Sequence, residues 1–184
     1  MDLELSGKRA LVTGGSRGIG KQVARQLALE GASVAIAARD QRRLDATAAE
    51  LAEESGQQVV ATTVDTTDGD SVLRMGDAVA AMLGGIDILV NAAARPAGQG
   101  PPPPRFDGVT SELFFDEMNT KVLGYLRCVQ IAAPQMIERG WGRIVNISGL
   151  AARQTGSIMA APEMRSRSDV LNVKLRSSET ITAR

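Results

Sequence analysis

The 184 residues carry 21 basic and 21 acidic side chains, enough chain for one domain with a core and no net charge to draw it to nucleic acid or an anionic membrane. Histidine is absent and Cys128 is the only cysteine, which excludes disulfides, thiolate metal cages and nucleophilic systems built on histidine, so no metal site is expected. No apolar run approaches the span of a bilayer, and the opening MDLELSGKR lacks a signal peptide's charged-then-apolar order, so the expectation is a soluble, cytoplasmic protein.

Residues 10–12 are an apolar run, entered by Arg9, that reads as a strand. Residues 13–20, TGGSRGIG, follow at once and run into a stretch where Ile19, Val23 and Leu27 recur at helical spacing, with Ala24 and Ala28 beside them. A glycine-rich turn between a strand and a helix is a device for holding phosphate. Gly14 and Gly18 let the backbone turn sharply and approach a ligand, and Gly20 lets the helix pack on the sheet. The helix start adds N–H groups and a positive dipole end. A tight turn without a ligand is the plain alternative, but the strand before it and the helix after it favour dinucleotide binding.

Residues 33–38, SVAIAA, predict a second buried parallel strand that closes a βαβ unit. An acid at its tip would take the ribose 2′-hydroxyl of NAD, whereas an arginine would meet the 2′-phosphate of NADP. The strand ends in Ala37, Ala38 and Arg39, and Arg17 in the glycine turn can reach the same phosphate, so NADP(H) is favoured over NAD(H). Two solvated surface arginines are the alternative. Residues 42–55 read as a polar helix with Leu44, Ala48 and Leu51 inward, and residues 58–64 as a third strand followed by Asp65. Residues 68–83 read as a helix with Val72, Met75, Val79 and Met82 in the core. Residues 86–90, IDILV, predict the fourth strand and lead into Asn91, Ala92, Ala93 and Ala94.

Residues 95–109 lack periodicity. The four prolines at 101–104 favour a stiff polyproline II segment: a rim of the ligand site, a surface linker, or a docking segment for a partner. Residues 111–139 read as one long helix with a continuous apolar stripe, Val122, Leu126, Val129, Ala133, Met136 and Ile137. Residues 141–147 predict the fifth strand. The sum is a doubly wound α/β domain of Rossmann type with a parallel sheet ordered 3-2-1-4-5.

The spacing TGxxxGxG over residues 13–20, with NAAA at 91–94 and VNIS at 145–148, resembles the short-chain dehydrogenase/reductase family across residues 5–157. The resemblance implies a nicotinamide cofactor held by Thr13, Gly14, Ser16, Arg17, Gly18, Ile19, Gly20, Arg39, Asp65, Asn91, Ala92 and Ala93. It places Asp65 near the adenine, implies an alcohol or carbonyl substrate, and implies a homo-oligomer through the long helix 111–139. In that family a tyrosine is the acid–base group, and a lysine four residues later lowers its pKa. A serine steadies the substrate oxygen, and an asparagine three residues before a small one on the long helix completes a proton relay.

Here Lys121 stands three residues before Gly124, and Gly149 follows VNIS with Ser148 beside it. Lys121 and Ser148 are therefore the candidate catalytic residues by position. Asn119 lies two residues from Lys121, about 200° around an ideal helix, and is expected to face elsewhere. The only tyrosine, Tyr125, falls on the long helix, and Lys174 has no tyrosine four residues before it. The resemblance implies a further buried helix and two more strands, whereas residues 159–184 lose the apolar period. A truncation with a reading-frame shift near residue 158, leaving the sheet incomplete at its C-terminal edge, is therefore the expectation. A divergent helix around 169–176 is the alternative, and a basic tail for nucleic acid is disfavoured by its acidic residues. The domain is placed at 1–157 and an atypical tail at 158–184. The expected function is NADP(H)-dependent oxidation or reduction of an alcohol or carbonyl. The alternative is a dinucleotide-binding remnant or sensor without hydride transfer.

Overall fold

The first apolar run becomes the central strand β1 (Arg9–Thr13) of the computed structural model, which describes residues 3–94 and 108–148. On one side β1 pairs in parallel with β2 (Ser33–Ala38), which pairs with β3 (Val59–Thr63). On the other it pairs with β4 (Ile88–Asn91), which pairs with β5 (Arg143–Asn146). The five strands run in the order β3-β2-β1-β4-β5, as the sequence predicts. The predicted polyproline segment 101–104 and the tail 158–184 lie outside the described residues.

Strand alternation decides which helices cover which face. In β1, Ala10 and Val12 point to one side with Val34, Ile36, Ile88 and Val90, and they are closed off by α1 (Gly18–Leu29) and α2 (Gln41–Ser55). Leu11 points to the other with Ala35, Leu89 and Ile144, under α3 (Gly69–Leu83) and α5 (Gly124–Glu138). Both faces of the sheet are therefore covered, which is why its strands read as unbroken apolar runs. Leu44, Ala48 and Leu51 are buried as predicted. Met82 is not: it is 36% exposed, and Leu83 takes the next inward position against the core. Ile19 is likewise on the surface, and Ala24 and Ala28 carry the buried side of α1. No helix among the described residues is long and apolar enough to cross a membrane.

The long helix is three segments: α4 (Ser111–Glu117), a π-helical turn (Met118–Leu123), and α5. The wider i→i+5 turn rotates everything after it relative to a 3.6-residue period. The predicted stripe therefore splits. Val122, Leu126 and Ile137 are exposed, and the buried seam of α5 is Gly124, Cys128, Ala132 and Met136. Burial pushes the Cys128 thiol up to about 11, so it is a protonated core side chain at neutral pH.

The amino ends of β1 and β4 are fastened to the end of α5 by one carboxylate. Asp87, 6% exposed, accepts from the backbone N–H of Arg9 at 3.1 Å and from Arg9 Nε at 2.7 Å. Its other oxygen accepts from the second terminal nitrogen of Arg9 at 2.8 Å and from Arg139 Nε at 3.0 Å. Burial alone would push the Asp87 carboxyl up; the hydrogen bonds from Arg9 and the charges of Arg9 and Arg139 outweigh it and hold the carboxyl below its ordinary range. Asp87→Asn leaves two guanidiniums without their counter-charge, and an expected loss of about 2–4 kcal/mol would appear in urea unfolding. In the unmodified protein the carboxyl binds its proton less readily folded than unfolded. Its stabilisation is thus present above the unfolded value of about 3.9 and is lost as pH falls through the lower folded one. An unchanged urea midpoint in the variant would contradict this account.

Candidate functional site

The carboxyl ends of all five strands open into one cleft of about 1040 Å³. Its wall is built from the turn after β1, the segments after β2, β3 and β4, the end of β5, and the π turn of the long helix. Gly14, Ser16, Arg17, Gly18, Ile19, Gly20, Arg39, Asp65, Ala92, Ala93, Lys121 and Ser148 line it, so twelve of the sequence-predicted site residues converge there. Thr13 and Asn91 do not line it. Both are fully buried beneath the floor. Thr13 Oγ1 accepts from the N–H groups of Ala92 and Ala93 at 3.3 and 3.4 Å. Asn91 donates through Nδ2 to Asn146 Oδ1 at 2.9 Å and to the carbonyl of Tyr125 at 3.4 Å. Asn91 therefore ties the end of β4 to β5 and α5 from beneath the floor, where the resemblance implies a cofactor contact.

The glycine turn fits a dinucleotide for two separate reasons. Gly20 cannot carry a side chain, because a Cβ there would lie 2.3 Å from the carbonyl oxygen of Gly14. Gly18 adopts φ +55° with nothing within 4 Å of where its Cβ would be, so the left-handed turn leaves open space beside it. The start of α1 completes the cradle. Asp40 and Asp68 cap α2 and α3 with side-chain hydrogen bonds, but the α1 cap, Arg17, supplies none. The amide N–H groups of that first turn suit an anionic phosphate.

At one end of the cleft stand Arg17, Arg39 and Arg43. Arg43 is missed by sequence reasoning, although its place is fixed by a simple signal: it is three residues after the α2 cap, Asp40, and its guanidinium lies 3.7 Å from that carboxylate. Asp65 is nearby. The hydroxyl and the backbone N–H of Thr67 donate to its Oδ1 at 2.7 and 2.9 Å and, with the charge of Arg39, hold its carboxyl below the ordinary range.

At the other end the π turn overturns one expectation. Asn119 lines the same cleft as Lys121, because 100° per residue does not apply across Met118–Leu123. A neighbouring brace holds it there: Arg127 donates to Asn119 Oδ1 at 2.8 Å and to the carbonyl of Thr66 at 3.2 Å. Gly124 lies against the same threonine, whose atoms a Cβ would meet at 3.1 Å. Lys121 pairs with Glu117 at 3.8 Å, and Tyr125 joins Lys121 and Ser148 in the lining. Gly149 lies outside the described residues.

The two glycines separate packing from conformation. Gly20→Ala is expected to cost at least about 3 kcal/mol, because backbone must move to admit the methyl. Gly18→Ala should cost only about 1–2 kcal/mol, the strain of a left-handed alanine in open space. Urea denaturation of both variants checks the order, and the reverse ranking would refute it.

Comparison with known proteins agrees with this geometry. The family model for short chain dehydrogenases matches residues 8–161. A Streptomyces coelicolor protein assigned as a ketoacyl reductase is 36% identical over 168 residues, covering 88% of this chain and 60% of its own. The L-sorbose reductase of Gluconobacter frateurii, solved with NADPH and L-sorbose, superposes with a TM-score of 0.74 at 33% identity, over 83% of this chain and 56% of that one. A 7α-hydroxysteroid dehydrogenase solved with NADH gives 0.77 at 31% identity, over 87% and 60%. The chain spans between 43% and 60% of the length of the curated relatives it matches. Over the residues that build the sheet, the glycine turn and the cleft, this chain belongs to the short-chain dehydrogenase family.

Proposed function

We propose that this chain binds NADP(H) in preference to NAD(H) in the cleft and acts in the cytoplasm on an alcohol or carbonyl substrate. The observation that carries the cofactor choice is the convergence of Arg17, Arg39 and Arg43 beyond the tip of β2, where Asp40, which also lines the cleft, is taken up by capping α2 and by pairing with Arg43 at 3.7 Å. Three guanidiniums suit a 2′-phosphate and gain nothing from a bare 2′-hydroxyl. The first turn of α1 holds the pyrophosphate, and Ala92 and Ala93 allow the nicotinamide ribose to approach the backbone. When bound, the dinucleotide supplies two-electron chemistry. Lys121 and Ser148 are the groups proposed to meet the substrate oxygen, one as a cation and one as a hydroxyl donor. The absence of a Tyr-x-x-x-Lys pair from the sequence favours a second reading, a dinucleotide-binding chain without turnover.

Each arginine is expected to give the 2′-phosphate a charge-assisted hydrogen bond, so NADPH should bind about tenfold or more tighter than NADH, with the margin shrinking as salt is added. Fluorescence titration with both cofactors checks this. Arg39→Asp should reverse the preference and Arg43→Ala should reduce it; equal affinities in the unmodified protein would sink the assignment.

The outer side of the long helix carries Phe115 at 67% exposure, with Val122 and Leu126 about half exposed. We assign this apolar side to contact with a second copy of the chain. Light scattering should give at least a dimer for the unmodified protein and a smaller mass for Leu126→Glu. A monomer at micromolar concentration would rule it out.

A further inference from the structure

Helix α2 brings its cap, Asp40, and Arg43 to the arginine end of the cleft. One helical turn beyond Arg43 stands Thr47, which is only 4% exposed and is buried with Leu44, Ala48 and Leu51. A helical threonine ordinarily turns its hydroxyl back to the carbonyl four residues before it, here that of Arg43. Thr47 donates outward instead, from Oγ1 to the carbonyl of Ser16 in the glycine turn at 3.2 Å. Farther along, α1 and α2 are bridged by Lys21 with Glu50 at 2.7 Å and by Arg25 with Glu54. Those pairs lie at the surface, where an ion pair between long side chains contributes about 0–1 kcal/mol and gives way to small shifts of the backbone. The Thr47 bond is short-armed, buried and made to the turn itself, so it fixes a distance that the surface pairs leave free.

We propose that Thr47 is a positioning residue for the dinucleotide. By holding α2 to the carbonyl of Ser16, it sets Arg43 at a fixed distance from Arg17 and so governs how well the arginines close on a 2′-phosphate. The inference rests on the proposed NADP(H) reading. Arg17 follows Ser16 directly, and Arg43 stands one turn before Thr47, so a single bond fixes the base of both arms. A charge-assisted hydrogen bond to phosphate is made at about 2.7–2.9 Å, and a slide of α2 along the turn takes Arg43 out of that range. The pyrophosphate is assigned to the first turn of α1, which the Thr47 hydroxyl does not touch. Loss of that hydroxyl therefore falls on the cofactor that carries a 2′-phosphate and spares the one that does not.

Thr47→Val keeps the shape of the side chain and removes the hydroxyl, whereas Thr47→Ser keeps the hydroxyl. In fluorescence titrations of the full chain, Thr47→Val should weaken NADPH binding about fivefold and leave NADH within about twofold of the unmodified protein. Thr47→Ser should retain the original preference. The fivefold loss should vanish when Thr47→Val is made in an Arg43→Ala background, because the arm it positions is gone. A merely structural hydroxyl would lower the urea midpoint without moving the preference. An unchanged preference in Thr47→Val, a Thr47→Ser that loses it equally, or a loss that persists in full without Arg43 each overturns the inference and leaves Thr47 as a core hydroxyl. Equal affinities for the two cofactors in the unmodified protein, or no binding of either, overturn the proposed cofactor choice, and this inference with it. Where Thr47→Val does not fold, Thr47→Ala, which removes the hydroxyl and improves helix propensity, takes its place in both comparisons.

Discussion

Three pieces of backbone meet at van der Waals contact above the end of β1, and the site depends on that meeting. A Cβ on Gly20 would strike the carbonyl of Gly14, and one on Gly14 would lie 2.6 Å from the carbonyl of Ala92. Helix α1, the turn after β1 and the segment after β4 are thus as close as main chain can be. Thr13 locks the contact from below by accepting from two successive N–H groups of the β4 segment. This closeness sets the floor of the cleft and aims the first turn of α1 into it.

The opposite end of the central strands is held by different physics. There Asp87 gathers Arg9 and Arg139 into one charge cluster, and Arg9 also donates to the carbonyl of Gly84 at 2.6 Å. Charge pairing suffices at that end because nothing needs to enter. At the cleft end, polar side chains packed as tightly would occupy the space a ligand needs, and glycine contact leaves it open. The same strands therefore carry a sealed end and an open one.

The strands, the helices between them and the glycine turn were legible because each rests on local periodicity or on residues adjacent in sequence, and the sheet order follows from the doubly wound fold they make up. Leu11 alternates with Ala10 and Val12, and the glycines of residues 13–20 sit between a strand and a helix. The far end of the cleft was less legible. The π turn is a change of hydrogen-bond register that no apolar spacing announces, so Asn119 was expected to face elsewhere, and the buried seam of α5 fell on Cys128 and Ala132 rather than on Leu126. Tyr125 and Arg43 matched no expected spacing and came into view only when the chain brought them to the wall. Met82 failed for a smaller reason: at the last turn of α3 the inward direction had drifted to Leu83.

Arg127 joins two parts of the cleft, Thr66 and Asn119, that the sequence keeps 53 residues apart. One branch of its guanidinium reaches the loop that follows β3, beside Asp65, and the same branch grips the carboxamide in the π turn. The loop after β3 and the π turn therefore share one tether. Because one nitrogen serves both contacts, the place of Asn119 in the cleft wall is fixed by the carbonyl of Thr66, and the wall runs unbroken from the loop after β3 to the π turn.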